Sequence, residues 1–205
     1  MQLEFLLEEE SAEAALRALL PRLLPAGHTC RYRVHAGCQD LLKHLPALLR
    51  GYAQRLAHAD QTDLRVVVLL DADAHGVARK QALEAAAAAA GLATKTTAAP
   101  GTVFHVLNRV AVQELEAWFL GDQAAVQAAY PRIRPHHFKG LTRNPDTLLK
   151  SSQTLLQLLQ KGGEFRAGAR KIAWASAIAA HLSLDPVANA SPSFRCFCAG
   201  LRALR

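Results

Sequence analysis

Apolar positions along the chain alternate between short strand-like runs and longer stretches with helical spacing. Gln2 to Leu7 is an apolar-biased run that predicts a first strand. Ser11 can cap a following helix carrying Ala14, Ala15, Leu16, Leu19 and Leu20, with Pro21 as its stop. From Thr29 to His35 the pattern alternates, Cys30, Tyr32 and Val34 on one side and Arg31, Arg33 and His35 on the other. That is the signature of a half-buried edge strand. Asp40 opens a helical stretch with Leu41, Leu45, Leu48 and Tyr52 on one face, and Pro46 inside it predicts a break or kink.

Leu64 to Leu70 reads LRVVVLL, a continuous branched-apolar run of the kind found in strands covered on both faces. An alanine-rich helix is expected from Val77 to Ala90, ended by Gly91. Val103 to Val110 is the next predicted strand and Gln113 to Leu120 the next helix, with Trp118 and Phe119 as core residues and Asp122 as the cap of a helix beginning near Gln123. Strand–helix alternation of this sort implies an α/β fold with a doubly wound, mostly parallel sheet flanked by helices. After Tyr130 the character changes. Pro131, Pro135, Gly140 and Pro145 mark a basic loop region, followed by helical stretches over Asp146–Gln160, Ala169–Leu182 and Ser193–Leu204. Residues 1–130 are therefore expected to form the core, and 131–205 a basic helical extension packed on the same domain.

Composition narrows the class. A chain of 205 residues, 51% hydrophobic, is within the range of one domain and is not intrinsically disordered. No run of about 18 uncharged apolar residues occurs, so no membrane span is expected. Met1 to Glu10 carries four glutamates and no basic residue, the opposite of a secretory signal, so the expected compartment is the cytoplasm. The four cysteines, Cys30, Cys38, Cys196 and Cys198, lack the spacing of a zinc half-site and are expected as reduced thiols. The net charge of +7 comes from one segment: Pro131 to Lys171 holds nine basic and two acidic residues, while the remainder is balanced. Concentrated positive charge attracts polyanions.

The acidic residues carry the candidate chemistry. Ligands of open parallel sheets bind beyond the carboxyl ends of the strands. Glu8 directly follows the first predicted strand, and Asp71 and Asp73 directly follow the buried third one, in VVVLLDADAHG. In an extended chain, residues two apart point the same way, so both aspartates can face one site. Carboxylates gathered in a poorly solvated cleft repel, and a cation removes the repulsion. Oxygen ligands suit Mg²⁺ or Mn²⁺. Glu8 could equally serve the dipole of the next helix, and either aspartate could cap one. A third acidic element is QELEAWFL, where Glu114 is expected nearer the site and Glu116 behind it or paired to a basic residue.

Together these residues resemble the Toprim fold of topoisomerases, primases and overcoming-lysogenization-defect nucleases. More closely, EFLLEEESAEAAL, VVVLLDADAHGVARK, QELEAWFLGD and NASPSFRCFCAGL are similar to the family called domain of unknown function 4276, commonly regarded as Toprim-related. The resemblance implies that Glu8 takes the place of the Toprim glutamate, and Asp71 and Asp73 that of its D-x-D. Glu9 stands where glycine typically follows that glutamate. It further implies a phage-defence setting beside an ABC or SMC-like ATPase. The chain itself has no P-loop motif for ATP hydrolysis.

The expected function is Mg²⁺- or Mn²⁺-dependent phosphodiester cleavage, with Glu8, Asp71, Asp73 and Glu114 as catalytic acids and Glu116 as an additional metal ligand. Lys139, Arg143 and Lys171 are expected to hold a DNA or RNA backbone, and His75 to steer a proton or contact phosphate. Two other readings stand beside it. One is an aspartate-based phosphatase, although His75 occupies the place where such enzymes usually carry a hydroxyl. The other is a non-catalytic sensor or regulatory subunit of an ATPase, docking through Leu155, Leu158 and Leu159.

Overall fold

A computed structural model describes residues 1–58 and 63–204. Four parallel strands form its single sheet: β1 (Gln2–Leu7), β2 (Thr29–Val34), β3 (Leu64–Asp71) and β4 (Val106–Ala111), in the order β2-β1-β3-β4. β1 pairs with β2 from Gln2↔Thr29 to Leu7↔Val34, and with β3 from Gln2↔Leu64 to Leu7↔Leu69. β3 pairs with β4 from Val66↔Val106 to Asp71↔Ala111. β2 is an edge strand with alternating exposure, as its sequence pattern predicts.

Helices cover both faces. On one lie α2 (Cys38–Ala57) and α3 (Gly76–Ala89), which bury Leu41, Leu45, Leu49, Leu83 and Ala87 against Leu6, Val66, Val68 and Leu70. The other face joins Leu3, Phe5, Leu7, Val67 and Leu69 to α1 (Glu10–Leu23), α4 (Glu116–Leu120) and α5 (Gln123–Ala129). The helices α6 (Ser151–Lys161), α7 (Lys171–Ala179) and α8 (Pro192–Arg202) enter that same core through Leu155, Trp174 and Phe194. Each residue of β3 from Leu64 to Leu70 is buried, which is why the run carries no polar alternation. Leu155, Leu158 and Leu159 are at most 2% exposed, so these leucines belong to the interior and form no docking surface.

Several boundaries differ from expectation for identifiable reasons. α1 continues through Pro21 to Leu23, and α2 runs through Pro46, where the buried stripe Leu41–Leu45–Leu49–Tyr52 holds the helix on the sheet. The N-cap of α1 is Glu9, and the Ser11 hydroxyl donates to the Glu9 carboxylate. β4 starts at Val106, where its pairing with β3 begins at Val66↔Val106, and Val103 is exposed. Asp122 caps α5 as expected, accepting from Ala125 N at 3.0 Å. Asp146 opens no α-helix and lies in a single 3-10 turn, Pro145–Thr147. Its carboxylate instead accepts from Ser191 Oγ at 2.6 Å and Ser193 N at 2.8 Å, which ties the loop before α6 to the first turn of α8. Among the described residues no helix is long and apolar enough to cross a membrane, and all four cysteines are unpaired.

α8 lies close on β4. A Cβ built on Gly200 would sit 2.7 Å from Leu107 Cδ1 and 2.5 Å from Arg109 Nη2. Leu107 is fully buried and has nowhere to yield. Gly200→Ala should therefore destabilise the fold by about 1–3 kcal/mol, the usual cost of overpacking. Chemical denaturation compared with wild type checks this, and an unchanged midpoint would show that the helix can slide.

Candidate functional site

From β1 the chain steps outward to β2, and β3 then lies on the opposite side of β1. Neighbouring strands whose connections diverge in this way leave a crevice beyond their carboxyl ends, the usual binding place in open α/β sheets. Glu8 and Asp71 meet there. Glu8 Oε2 accepts the main-chain N–H of Asp71 at 3.0 Å, so one carboxylate bridges the ends of the two central strands.

Around this bridge the acids are packed closely enough to disturb one another. Burial pushes the Asp71 carboxyl well above its ordinary range, and Glu116, Glu8 and Glu9 push it the same way against the pull of Lys171. Among the described residues no protein donor reaches its oxygens. Glu8 is also raised, chiefly by burial, although the Asp71 N–H and Arg79 restrain the shift. Glu116, the first residue of α4, is 0% exposed. Burial raises its carboxyl to about 7 despite Lys171. Its Oε1 lies 3.3 Å from the Trp174 indole nitrogen, and its Oε2 has no partner.

Lys171, expected at a nucleic-acid backbone, is the local counter-charge. Its ammonium lies 3.3 Å from Glu9 Oε2 and 3.9 Å from Glu116 Oε1. Burial works against its charge, but Glu116, Glu9 and Asp71 outweigh burial and hold it above its usual range. Lys139 and Arg143, the other two expected backbone contacts, lie on the exposed basic loop.

The D-x-D pair divides. Asp71 ends the strand, whereas Asp73 and Ala74 have φ of 41° and 66° and turn the chain away. Non-glycine residues in this region cost about 1–2 kcal/mol each. Gln113 offsets that cost: its main-chain oxygen accepts from Ala72 N at 2.9 Å and Asp73 N at 3.0 Å, and its side chain from Ala74 N at 2.8 Å. This use of Gln113 also explains why α4 starts three residues later than predicted. Asp73 Oδ2 is 2.9 Å from Arg79 Nη1, and the same guanidinium donates to the Asp71 main-chain oxygen. Asp73 is thus paired to a cation of the protein, while Asp71 stays open.

The two glutamates of QELEAWFL exchange their expected places. Glu114 turns to the start of α6, accepting from Ser152 N at 2.7 Å and Ser152 Oγ at 3.0 Å, where it meets the positive end of the helix. Glu116 is the one near enough to Asp71 to raise its carboxyl. His75 precedes α3 and is exposed, at the mouth of an open cleft of about 760 Å³ that Val77, Lys80, Gln81, Val112 and Gln113 also line.

Asp71 without a donor, Glu8 with one oxygen engaged and Glu116 with an orphaned buried oxygen are oxygen donors short of positive charge, the kind of group a hard divalent cation would take. Sequence reasoning missed Gln113, Arg79, Glu9 and Trp174. Glu9 was signalled by the acidic run, whereas no spacing in the chain announces the other three.

The cluster gives the metal-free protein a pH signature. Glu116 keeps its proton to about 7 in the fold, against about 4.5 when unfolded. The folded state then binds more protons across that window, so stability falls as pH rises from about 4.5 to 7, by an upper bound of about 3 kcal/mol. Glu116→Gln should remove that fall, becoming more stable relative to wild type at pH 8 than at pH 5. Thermal denaturation of both proteins in chelator at the two pH values measures the difference, and parallel profiles would contradict it.

In comparisons with known proteins, no curated protein and no solved structure matches. A family model does match, over residues 7–202, a span that takes in Glu8, both aspartates, Glu116 and Lys171. The chain belongs to the family described as Domain of unknown function (DUF4276).

Proposed function

We propose that the chain is a Mg²⁺- or Mn²⁺-dependent nuclease of Toprim type, with Asp71, Glu8 and Glu116 as the residues that hold the ion. The observation that carries this reading is that Glu8 and Glu116 lie near enough to Asp71, at the switch point of a parallel sheet, to raise its carboxyl, Glu116 with an orphaned buried oxygen and Asp71 without any protein donor. The order of a strand-end glutamate and a later strand-end D-x-D supports the Toprim relationship. A divalent ion bound there supplies a polarised phosphate oxygen and an acidified water.

The chain's own groups do the rest. Glu8 holds the ends of β1 and β3 together through the Asp71 N–H, which keeps the ligands at fixed separation. Lys171 lies against Glu9 and Glu116 and adds positive charge where a phosphate would approach. The exposed Lys139 and Arg143 lie in the segment that carries the chain's whole charge surplus, which suits a DNA or RNA backbone. His75, which lines the neighbouring cleft, would contact phosphate. Work beside an ABC or SMC-like ATPase in phage defence belongs to the same proposal and rests on the resemblance alone.

One observation favours a non-catalytic regulatory module instead: Arg79 already neutralises Asp73, the second acid of the D-x-D. Under the nuclease reading Arg79 releases Asp73 when the ion binds, so Asp73→Asn should weaken Mn²⁺ binding about tenfold by calorimetry. Unchanged affinity would remove Asp73 from the site.

The main test supplies purified protein with Mg²⁺ or Mn²⁺ and, separately, tRNA, single-stranded DNA and duplex DNA. Cleavage should depend on the ion and fall at least about 100-fold in Asp71→Ala, because partners outside the ligand shell alone cost about 10- to 100-fold. Cleavage that survives this substitution would discard the site. A chain that binds the ion but cleaves none of the three polymers would favour the regulatory reading.

A further inference from the structure

A second group of metal-ligating side chains lies one strand away from the acids. His35 is the first residue after β2, and Asp40 and His44 lie four apart in the first turns of α2, hence on one face of that helix. Each of the three offers a ligand atom within 4.8 Å of the others. His35 Nδ1 is 3.0 Å from Asp40 Oδ2, and His44 Nδ1 is 3.1 Å from Asp40 Oδ1. Four ligands about 2.0–2.1 Å from a zinc-sized ion lie about 3.3 Å from one another, so these separations need little adjustment. The two rings are nearly parallel, 27° apart with centroids at 5.9 Å.

The ligand atoms now pair with one another, and an ion would take the place of those contacts. The His35 side chain is only 7% exposed, and its Nε2 finds no partner, so the protein satisfies one of its two nitrogens. Asp40 Oδ2 accepts Ala36 N at 3.2 Å, and His44 Nδ1 is also 2.8 Å from the Asp40 main-chain oxygen. His44 is half exposed, which leaves a path for an ion and room for a water as the remaining ligand. Nitrogen and carboxylate donors in this ratio suit Zn²⁺ and similar transition ions far better than the all-oxygen set around Asp71 suits them.

We propose that His35, Asp40 and His44 form a binding site for a transition-metal ion of the Zn²⁺ class, separate from the acidic cluster. The site does not depend on the nuclease reading. It does have a route to the acids: within the turn that an ion would tie down, His35 N donates to Leu7 O at 2.9 Å and Gly37 N to Glu8 O at 3.0 Å. An ion held there fixes the backbone on which Glu8 is carried.

The experiment titrates the full chain with Co²⁺, whose visible absorption reports tetrahedral nitrogen and oxygen ligation. The expected result is a tetrahedral band that saturates at one equivalent and is displaced by Zn²⁺. Its apparent affinity should fall at least about tenfold in His44→Ala, a half-exposed position whose loss leaves the core intact, and should be unchanged in Asp71→Asn. Absence of the band, its persistence in His44→Ala, or its loss in Asp71→Asn would each overturn the proposal, the last by placing the ion at the acidic cluster.

Discussion

The bond from the Asp71 N–H to the Glu8 carboxylate is the contact around which the site is organised. β1 and β3 are neighbours whose connections leave in opposite directions, so nothing in the main-chain ladder continues past Leu7↔Leu69 to hold their ends in register. A carboxylate supplies the missing acceptor. That choice places a negative charge beside Asp71, and Glu9 and Glu116 add to the repulsion. Two fixed cations, Lys171 and Arg79, relieve it only in part. Burial first, and this repulsion after it, raises the proton affinity of Asp71, Glu8 and Glu116.

What could be read from the chain alone was whatever depended on local pattern. LRVVVLL identified the doubly covered strand, and the acids at strand ends followed from where parallel sheets bind ligands. The edge position of β2 was visible in its alternation. Other features depended on contacts between segments distant in sequence, and these had no local trace. Lys171 looked like one more base in a positive segment, yet it lies against Glu9, 162 residues away. Glu114 and Glu116 were distinguishable in principle by helical phase, but only if the first helical residue was known. Gln113 shifted that start by spending its carbonyls on the acidic loop. The order of the two glutamates was therefore inverted by a residue that sequence patterning treats as unremarkable.

The cation chemistry divides along the same rim of the sheet. Around Asp71 the donors are oxygens, and around Asp40 they are imidazole nitrogens with one carboxylate. Both groups sit at carboxyl ends of strands, where side chains can converge without breaking the ladder. If both proposals hold, the difference in ligand softness would sort ions between neighbouring sites by chemistry.

Gln113 and Glu114 are adjacent, and they face opposite obligations. The first secures the turn after Asp71, and the second secures the start of α6, within the segment that carries the positive charge. A planar peptide unit joins them, so neither can shift far alone. Under the proposed function, load placed on the cationic loops by a polymer would pass to the acidic turn through these two consecutive residues, and reciprocity of binding free energies would then have an ion at the acids alter affinity for that polymer to the same degree.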